Sequence, residues 1–294
     1  TSKPMMVPQL VGVALRAIAF DGFKFLIDRC DNEQVLSKIV ERIDGLGEPR
    51  WIAEAHAFGE PLSVIDSLVC SMSPTRAQTE VDLWKKPNAI EPNILLSEVR
   101  GWQDRLSEIA SMPDRLDRQR AVEDFEQSLD ELVDRISPWR LLSTALTRAG
   151  VSRSIANIHV TLLMPATAAS FAAEDRSCAQ QRLPLLAAAL KLHQLRHGEY
   201  PDTLDALAPD PLAEIPLDPF TNKPFVYERR DGGFAIWSLG RNGVDDGGSD
   251  QSGEFVDGEY APIDWTGKRP KPDGPDDVVV RLPVPVLELP GAAR

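Results

Sequence analysis

The sequence predicts an α+β protein: a mostly helical N-terminal region, then a long helix that leads into a small antiparallel β-sheet. Three observations support this fold class. Apolar residues recur at helical spacing from residue 5 to about 150. A further helical pattern begins at Ser152 or Ser154 and reaches His197, where Gly198 is a good stop. Two short β-rich segments then flank Asp231-Gly232-Gly233, a strong hairpin signal.

Composition and charge narrow the classes of function. The chain has 294 residues, of which 43% are hydrophobic and 26% charged, which is typical of a soluble globular protein with a real core. Its formal net charge of −13 argues against nucleic acid as a partner and favours cations or a basic protein surface. No stretch reaches the roughly 18 apolar residues of a membrane-spanning helix, since Arg16 interrupts the apolar segment Leu10–Phe20.

The region 1–151 is predicted to be one helical domain. Asp31 is the expected N-cap of its second helix, which Gly45 ends, and Pro138-Trp139 opens its last one. The other helical segments are predicted from apolar spacing alone: Val7–Cys30, Trp51–Met72, Ile94–Met112 and the segment that begins at Pro113.

The region 152–282 is predicted to be a second domain, made of the long helix and the sheet. Pro165 and Pro184 predict kinks in that helix. A short helix is expected over 203–207. Strands are expected over Phe225–Glu228, Phe234–Ser238 and Asp277–Leu282. The proline-rich segment 283–294 is expected to be an extended tail.

Three motifs occur in a fixed order in the second domain: His197-Gly198-Glu199-Tyr200-Pro201, then Pro216-Leu217-Asp218-Pro219-Phe220, then Ser238-Leu239-Gly240-Arg241-Asn242-Gly243. This succession resembles the C-terminal half of type II secretion pseudopilins and pseudopilin-like domains in envelope proteins of planctomycete-type bacteria. The resemblance implies a sheet of pseudopilin type, an acidic loop that holds calcium, and a domain that assembles or binds rather than catalyses.

The loop after Gly240 is the candidate metal site. Calcium takes six to eight oxygen ligands from a flexible segment, and this loop and the start of the last strand offer them from five side chains: Asn242, Asp245, Asp246, Asp276 and Asp277. The resemblance adds the backbone carbonyl of Leu239, and it places Asn242 where the family usually has an acid. The spacing is not that of an EF-hand loop. A merely solvated acidic loop is the alternative.

Other motif candidates have structural explanations. Asp218, before Pro219, suits a turn residue that bonds nearby backbone amides. His193 and His197 share one helix face, as the histidines of zinc hydrolases do, but no glutamate base stands beside His193. A pair that interacts with the negative end of the helix dipole is therefore favoured.

No nucleophile elbow, P-loop or dinucleotide fingerprint is present, so no catalytic residue and no organic cofactor is predicted. The expected function is that of a non-catalytic envelope scaffold, or an assembly or binding component, whose C-terminal module calcium stabilises. The alternative is an enzyme or ligand-binding protein whose site lies in the helical domain, with Trp51, His56 and Trp102 as pocket residues.

Location and partners follow from the resemblance. We expect a periplasmic or cell-envelope protein that associates with other proteins or with itself. Any membrane contact is expected through an anchor that precedes Thr1, since the sequence lacks an initiator methionine. Cys30, Cys70 and Cys178 form no metal-binding pattern and are expected to be buried thiols. A Cys30–Cys70 disulfide is the alternative and would fit an exported protein.

Overall fold

The architecture is described from a computed structural model, which describes residues 6–47, 90–136, 147–249, 254–256, 259–261 and 275–284. These residues form an α+β protein that is mainly helical with a small antiparallel sheet, which confirms the predicted fold class. The helices are α1 (Met6–Asp28), α2 (Glu33–Asp44), α3 (Pro92–Ser111), α4 (Arg115–Arg135) and α5 (Arg148–His197). A 3-10 turn spans Leu204–Leu207, and the strands are β1 (Val226–Arg230), β2 (Gly233–Ser238), β3 (Glu254–Val256), β4 (Glu259–Ala261) and β5 (Val278–Leu282).

The chain divides into two compact units, and both are discontinuous in sequence. Thr1–Gly12 and Arg50–Glu174 form the first, while Val13–Pro49 and Asp175–Arg294 form the second. This division differs from the predicted boundary between residues 151 and 152. The segment 13–49, which was expected in the helical domain, belongs with the sheet, and the first part of α5 belongs to the first unit.

The core of the second unit explains why α1 and α2 belong to it. Helix α2 buries Leu36, Val40 and Ile43, a spacing of four and three that puts these side chains on one helix face. They share a core with buried residues of α1, of the C-terminal part of α5 and of the sheet. Burial of an apolar side chain contributes roughly 1.5–3 kcal/mol. This gain explains why α2 packs with α5 and the sheet, although they lie far from it in the sequence.

The first unit has a purely helical core among its described residues. Helices α3 and α4 and the first part of α5 contribute to it, and the largest fully buried side chains include Phe125, Leu95, Leu106 and Met164. The core also contains an ion pair: Nη2 of Arg118 lies 3.5 Å from Oε1 of Glu174.

The sheet of the second unit has the strand order β1-β2-β5, with both pairs antiparallel. Arg230 pairs with Gly233 across the Asp231-Gly232 turn, so the predicted hairpin is confirmed. Strand β5 pairs with β2 from Phe234 opposite Leu282 to Ser238 opposite Val278. This pairing brings the residues before β5 next to the residues after β2. A second, two-stranded pairing of β3 with β4 was not predicted.

The remaining differences from the predicted helices are small. Asn32, not Asp31, is the N-cap of α2, since its side chain accepts a hydrogen bond from the backbone N–H of Val35. Helix α5 begins at Arg148, earlier than predicted, and both Pro165 and Pro184 lie within it. By length and composition α5 could cross a membrane, but 38% of its apolar window is buried inside the protein. The predicted helices Trp51–Met72 and from Pro138, most of the tail 283–294, and Cys70 lie outside the described residues.

Candidate functional site

The buried carboxylate of Asp218 connects the turn at residues 218–220 to the end of β2 through hydrogen bonds. Its Oδ1 accepts hydrogen bonds from Ser238 Oγ at 2.7 Å and from the Phe220 N–H at 3.0 Å. Its Oδ2 accepts from the Leu239 N–H at 3.0 Å. Burial raises the pKa of Asp218, while these hydrogen bonds act in the opposite direction. A group predicted as a local turn residue therefore links two segments about 20 residues apart in sequence.

The chain then turns at Gly240 directly against Asp276. Gly240 has a φ of 62°, and a Cβ at this position would lie 2.3 Å from Oδ1 of Asp276. Any side chain would therefore clash with the carboxylate in addition to the cost of the left-handed conformation. This close approach positions the loop for the contacts that follow.

Asp276 caps the first residues of the loop. Its Oδ2 accepts hydrogen bonds from the N–H groups of Arg241 at 2.9 Å and of Asn242 at 3.3 Å. Nη1 of Arg176 in α5 donates to the backbone carbonyl of the same Asp276 at 3.5 Å. The loop is thereby connected to both β5 and α5 of the same unit.

Asp246 and Asp277 close the loop. Asp246 Oδ2 accepts from Asn242 Nδ2 at 3.1 Å and from the Asp276 N–H at 3.3 Å. Asp277 Oδ2 in turn accepts from the N–H groups of Asp246 at 3.1 Å and of Gly248 at 2.8 Å. Asp276 and Asp277 thus hold the backbone of the loop through main-chain amides, and Asp246 of the loop in turn holds the main-chain amide of Asp276.

Two carboxylate oxygens of this network have no hydrogen-bond partner among the described residues. They are Oδ1 of Asp276 and Oδ1 of Asp277, and both atoms are buried. Asp277 is 0% exposed and Asp276 is 9% exposed. Burial raises the pKa of Asp277 to about 6, with the nearby Asp246 and Asp245 charges acting in the same direction. Burial also raises the pKa of Asp276. The two buried carboxylates therefore lie beside the partly exposed Asp246 and the exposed Asp245, so acidic groups are concentrated at one place.

The structure brings four of the six predicted ligand residues into direct contact: Asn242, Asp246, Asp276 and Asp277. Asp245 faces a different neighbour, because its Oδ1 accepts from Trp237 Nε1 and from the Gly247 N–H, each at 3.0 Å. Leu239, whose carbonyl was the sixth candidate, is held at its N–H by Asp218 rather than by the loop.

The donor set fits a hard cation, but the side chains are arranged around backbone amides. All six candidates offer oxygen, which is the ligand chemistry of calcium. Within the described ranges, no three carboxylate, imidazole or thiol side chains are placed together so as to hold a metal ion. A bound ion would therefore use the two Oδ1 atoms that lack a partner among the described residues. Asp246 and Asn242 could contribute an oxygen only by giving up hydrogen bonds that they make within the loop and to Asp276.

Sequence reasoning did not identify two cationic contacts to this loop. Besides Arg176, Arg281 of β5 donates through Nη2 to the backbone carbonyl of Gly248. The alternation in β5 places Val278, Val280 and Leu282 on the buried face and Arg281 on the other face. This pattern could have indicated that Arg281 is able to contact the loop.

The pocket residues of the alternative function are only partly described. Trp102 packs edge-on against Phe125 with ring centroids 5.4 Å apart, and Arg105 lies 5.1 Å above its ring. Trp102 is thus a neighbour of the helical core. Trp51 and His56 lie outside the described residues.

Comparisons with known proteins return no matching family model, no significantly similar curated protein and no significantly similar solved structure.

Proposed function

We propose that this protein is a non-catalytic scaffold or binding component of the cell envelope whose C-terminal module is ordered by calcium. The observation that carries the proposal is the pair of buried Oδ1 atoms on Asp276 and Asp277, which have no hydrogen-bond partner in the part of the chain that the structure describes. An unsatisfied buried oxygen costs about 1–3 kcal/mol, and more when it is charged. A divalent cation at these oxygens would remove that cost.

The use of the carboxylates supports a structural rather than a catalytic role. Asp218, Asp246, Asp276 and Asp277 each accept hydrogen bonds from main-chain N–H groups, so their geometry serves to fix the backbone. Calcium that binds the native loop and not the unfolded chain would stabilise the module by mass action. The Asn242 side chain lowers the ligand charge, so we expect weaker binding than a fully acidic site would give.

The scaffold role and the envelope location rest on the ordered motifs that resemble pseudopilins, from His197 to Gly243. A protein with a net charge of −13 suits a partner with a basic surface. Self-association is the second possibility. Sedimentation velocity at several concentrations, with calcium and with chelator, tests whether the chain associates with itself.

The calcium proposal is tested by thermal unfolding with calcium and with chelator. We expect the unfolding midpoint of the native chain to rise by several degrees in millimolar calcium. The Asp276→Asn and Asp277→Asn variants should lose this response. Asp231→Asn is the matched control, because it removes a carboxylate of the same unit that lies exposed in the β1–β2 turn.

An unchanged midpoint across millimolar calcium would refute the calcium site and leave the loop as a carboxylate-bonded structure. A response that persists in both variants would place calcium elsewhere on the chain. If calcium stabilises the chain but the chain does not associate with itself, the scaffold proposal requires a different protein as the partner.

A further inference from the structure

Two histidines stand side by side in the last turn of α5. His193 and His197 are four residues apart, which places them on one face of the helix. Their ring centroids are 4.3 Å apart with an interplanar angle of 39°. His197 is exposed and His193 is partly exposed, so water and ions reach the pair.

The tautomer of His193 is set by the turn that follows the helix. Its Nδ1 lies 3.2 Å from the backbone carbonyl oxygen of Glu199. A carbonyl oxygen only accepts, so Nδ1 carries the proton and donates it. The lone pair of the neutral ring is therefore on Nε2. A histidine that binds a metal through one nitrogen generally donates the other N–H to such a carbonyl, which orients the ring.

The charges around the pair do not oppose a cation. Arg196 is paired with Glu33 at 2.7 Å and with Asp210 at 3.1 Å. Arg229 is likewise paired with Glu199 at 2.8 Å. The C-terminal end of α5 carries the negative end of the helix dipole, which favours a positive ion near its last turn.

We propose that His193 and His197 form a surface site for a late first-row divalent transition metal, bound through two imidazole nitrogens with water in the other positions. Imidazole suits Cu²⁺, Ni²⁺ and Zn²⁺, whereas calcium takes oxygen ligands. The site is thus chemically separate from the acidic loop. It is not a hydrolase centre, since Gln194 stands where zinc hydrolases carry the glutamate base.

The probe is Ni²⁺, titrated calorimetrically into the untagged full chain in the presence of millimolar calcium. We expect one ion per chain, and His193→Ala or His197→Ala should each weaken the affinity by at least about tenfold. His159→Ala is the matched control, because its Nδ1 also lies 3.2 Å from a backbone carbonyl, that of Ile155, but it has no second histidine one turn away. That variant should bind as the native chain does.

Binding of equal strength to the native chain and to the His193→Ala/His197→Ala double variant would overturn the proposal, as would the absence of binding to the native chain. Because Asp277→Asn should bind Ni²⁺ normally, the outcome does not depend on the calcium proposal. Circular dichroism of each variant shows whether α5 remains folded, so a lost site is distinguished from a lost helix.

Discussion

Aspartates have opposite roles in helix α4 and around the sheet of the second unit. In α4, Asp117 is 66% exposed at its side chain and pairs with Arg120 one turn away at 3.1 Å. In the C-terminal module, Asp218 and Asp277 are buried and accept hydrogen bonds from main-chain amides of segments far from them in sequence. Exposed ion pairs contribute about 0–1 kcal/mol, whereas loss of a buried acceptor strands its donors at about 1–3 kcal/mol each. The environment of an aspartate, rather than its presence, thus determines its contribution to stability.

The largest loss of stability is expected for Asp218→Ala. This change leaves the donors of Ser238, Phe220 and Leu239 without their acceptor in a buried place. We expect a loss of about 4 kcal/mol in the free energy of unfolding, measured by urea denaturation. Asp205→Ala, an exposed aspartate of the same unit, should change stability by less than about 0.5 kcal/mol. Equal losses in the two variants would show that the hydrogen bonds accepted by Asp218 do not contribute to stability.

The next largest effect is expected for Gly240→Ala. Gly240 and Gly243 both have positive φ, at 62° and 65°. A methyl group at Gly240 would lie 2.3 Å from Oδ1 and 2.4 Å from the backbone oxygen of Asp276, whereas one at Gly243 would meet nothing within 4 Å. We expect Gly243→Ala to cost about 1 kcal/mol for its conformation and Gly240→Ala about 3 kcal/mol, because the clash is added. Urea denaturation of the two variants measures this difference. Similar costs would mean that Asp276 moves aside freely.

A smaller effect, which depends on pH, is expected for Tyr227→Phe. Burial raises the pKa of Tyr227 from 10.0 to about 12, despite the opposing charge of Arg229, and its hydroxyl donates to the carbonyl of Pro201 at 2.7 Å. Below pH 10 the variant loses about 1 kcal/mol with this hydrogen bond. Between pH 10 and 12 the unfolded chain releases the tyrosine proton before the folded one, so the native protein loses stability as pH rises.

The phenylalanine variant lacks this titration. Its stability should therefore fall less steeply than that of the native chain between pH 10 and 12, which chemical denaturation across that range measures. Parallel curves for the two proteins would contradict the raised pKa of Tyr227.

The smallest effect is expected on α4. Arg120→Ala removes the exposed pair with Asp117, and Arg135→Ala removes the equivalent pair with Glu131 at 3.2 Å. Each should change the free energy of unfolding by less than about 0.5 kcal/mol, measured by urea denaturation at low salt. A loss above 1 kcal/mol would mean that the surface of α4 contributes as much as a buried contact.

Local patterns predicted the local structure well. The hairpin at Asp231-Gly232, the strand around Val280 and helices α3 and α4 follow from spacing and turn chemistry that act over a few residues. Asn242 and Asp246 were candidates because oxygen-bearing side chains cluster beside glycines, and Asp276 and Asp277 because they lie near the last strand; their role as metal ligands stays a prediction. The relative positions of these residues could not be predicted from the sequence, because they depend on the pairing of β2 with β5.

Non-local packing explains what could not be predicted. Nothing in the α2 sequence indicates whether Leu36 and Val40 face the helices next to them in the chain or α5, more than 100 residues later. The predicted domain boundary therefore followed the change in composition, while the two units follow the packing. The role of Asp218 was underestimated for the same reason, because its partners Ser238 and Leu239 are brought to it by the fold.

The discontinuity of the second unit has a consequence for synthesis on the ribosome. The segment 13–49 is made early, but its core partners in α5 and the sheet are made only after the whole of Arg50–Glu174. The native core partners of α1 and α2 therefore become available only after the intervening chain has emerged, at about 5–20 residues per second. Because transiently exposed apolar surface promotes aggregation, the second unit can complete its native core only late in synthesis, after most of the first unit has been made.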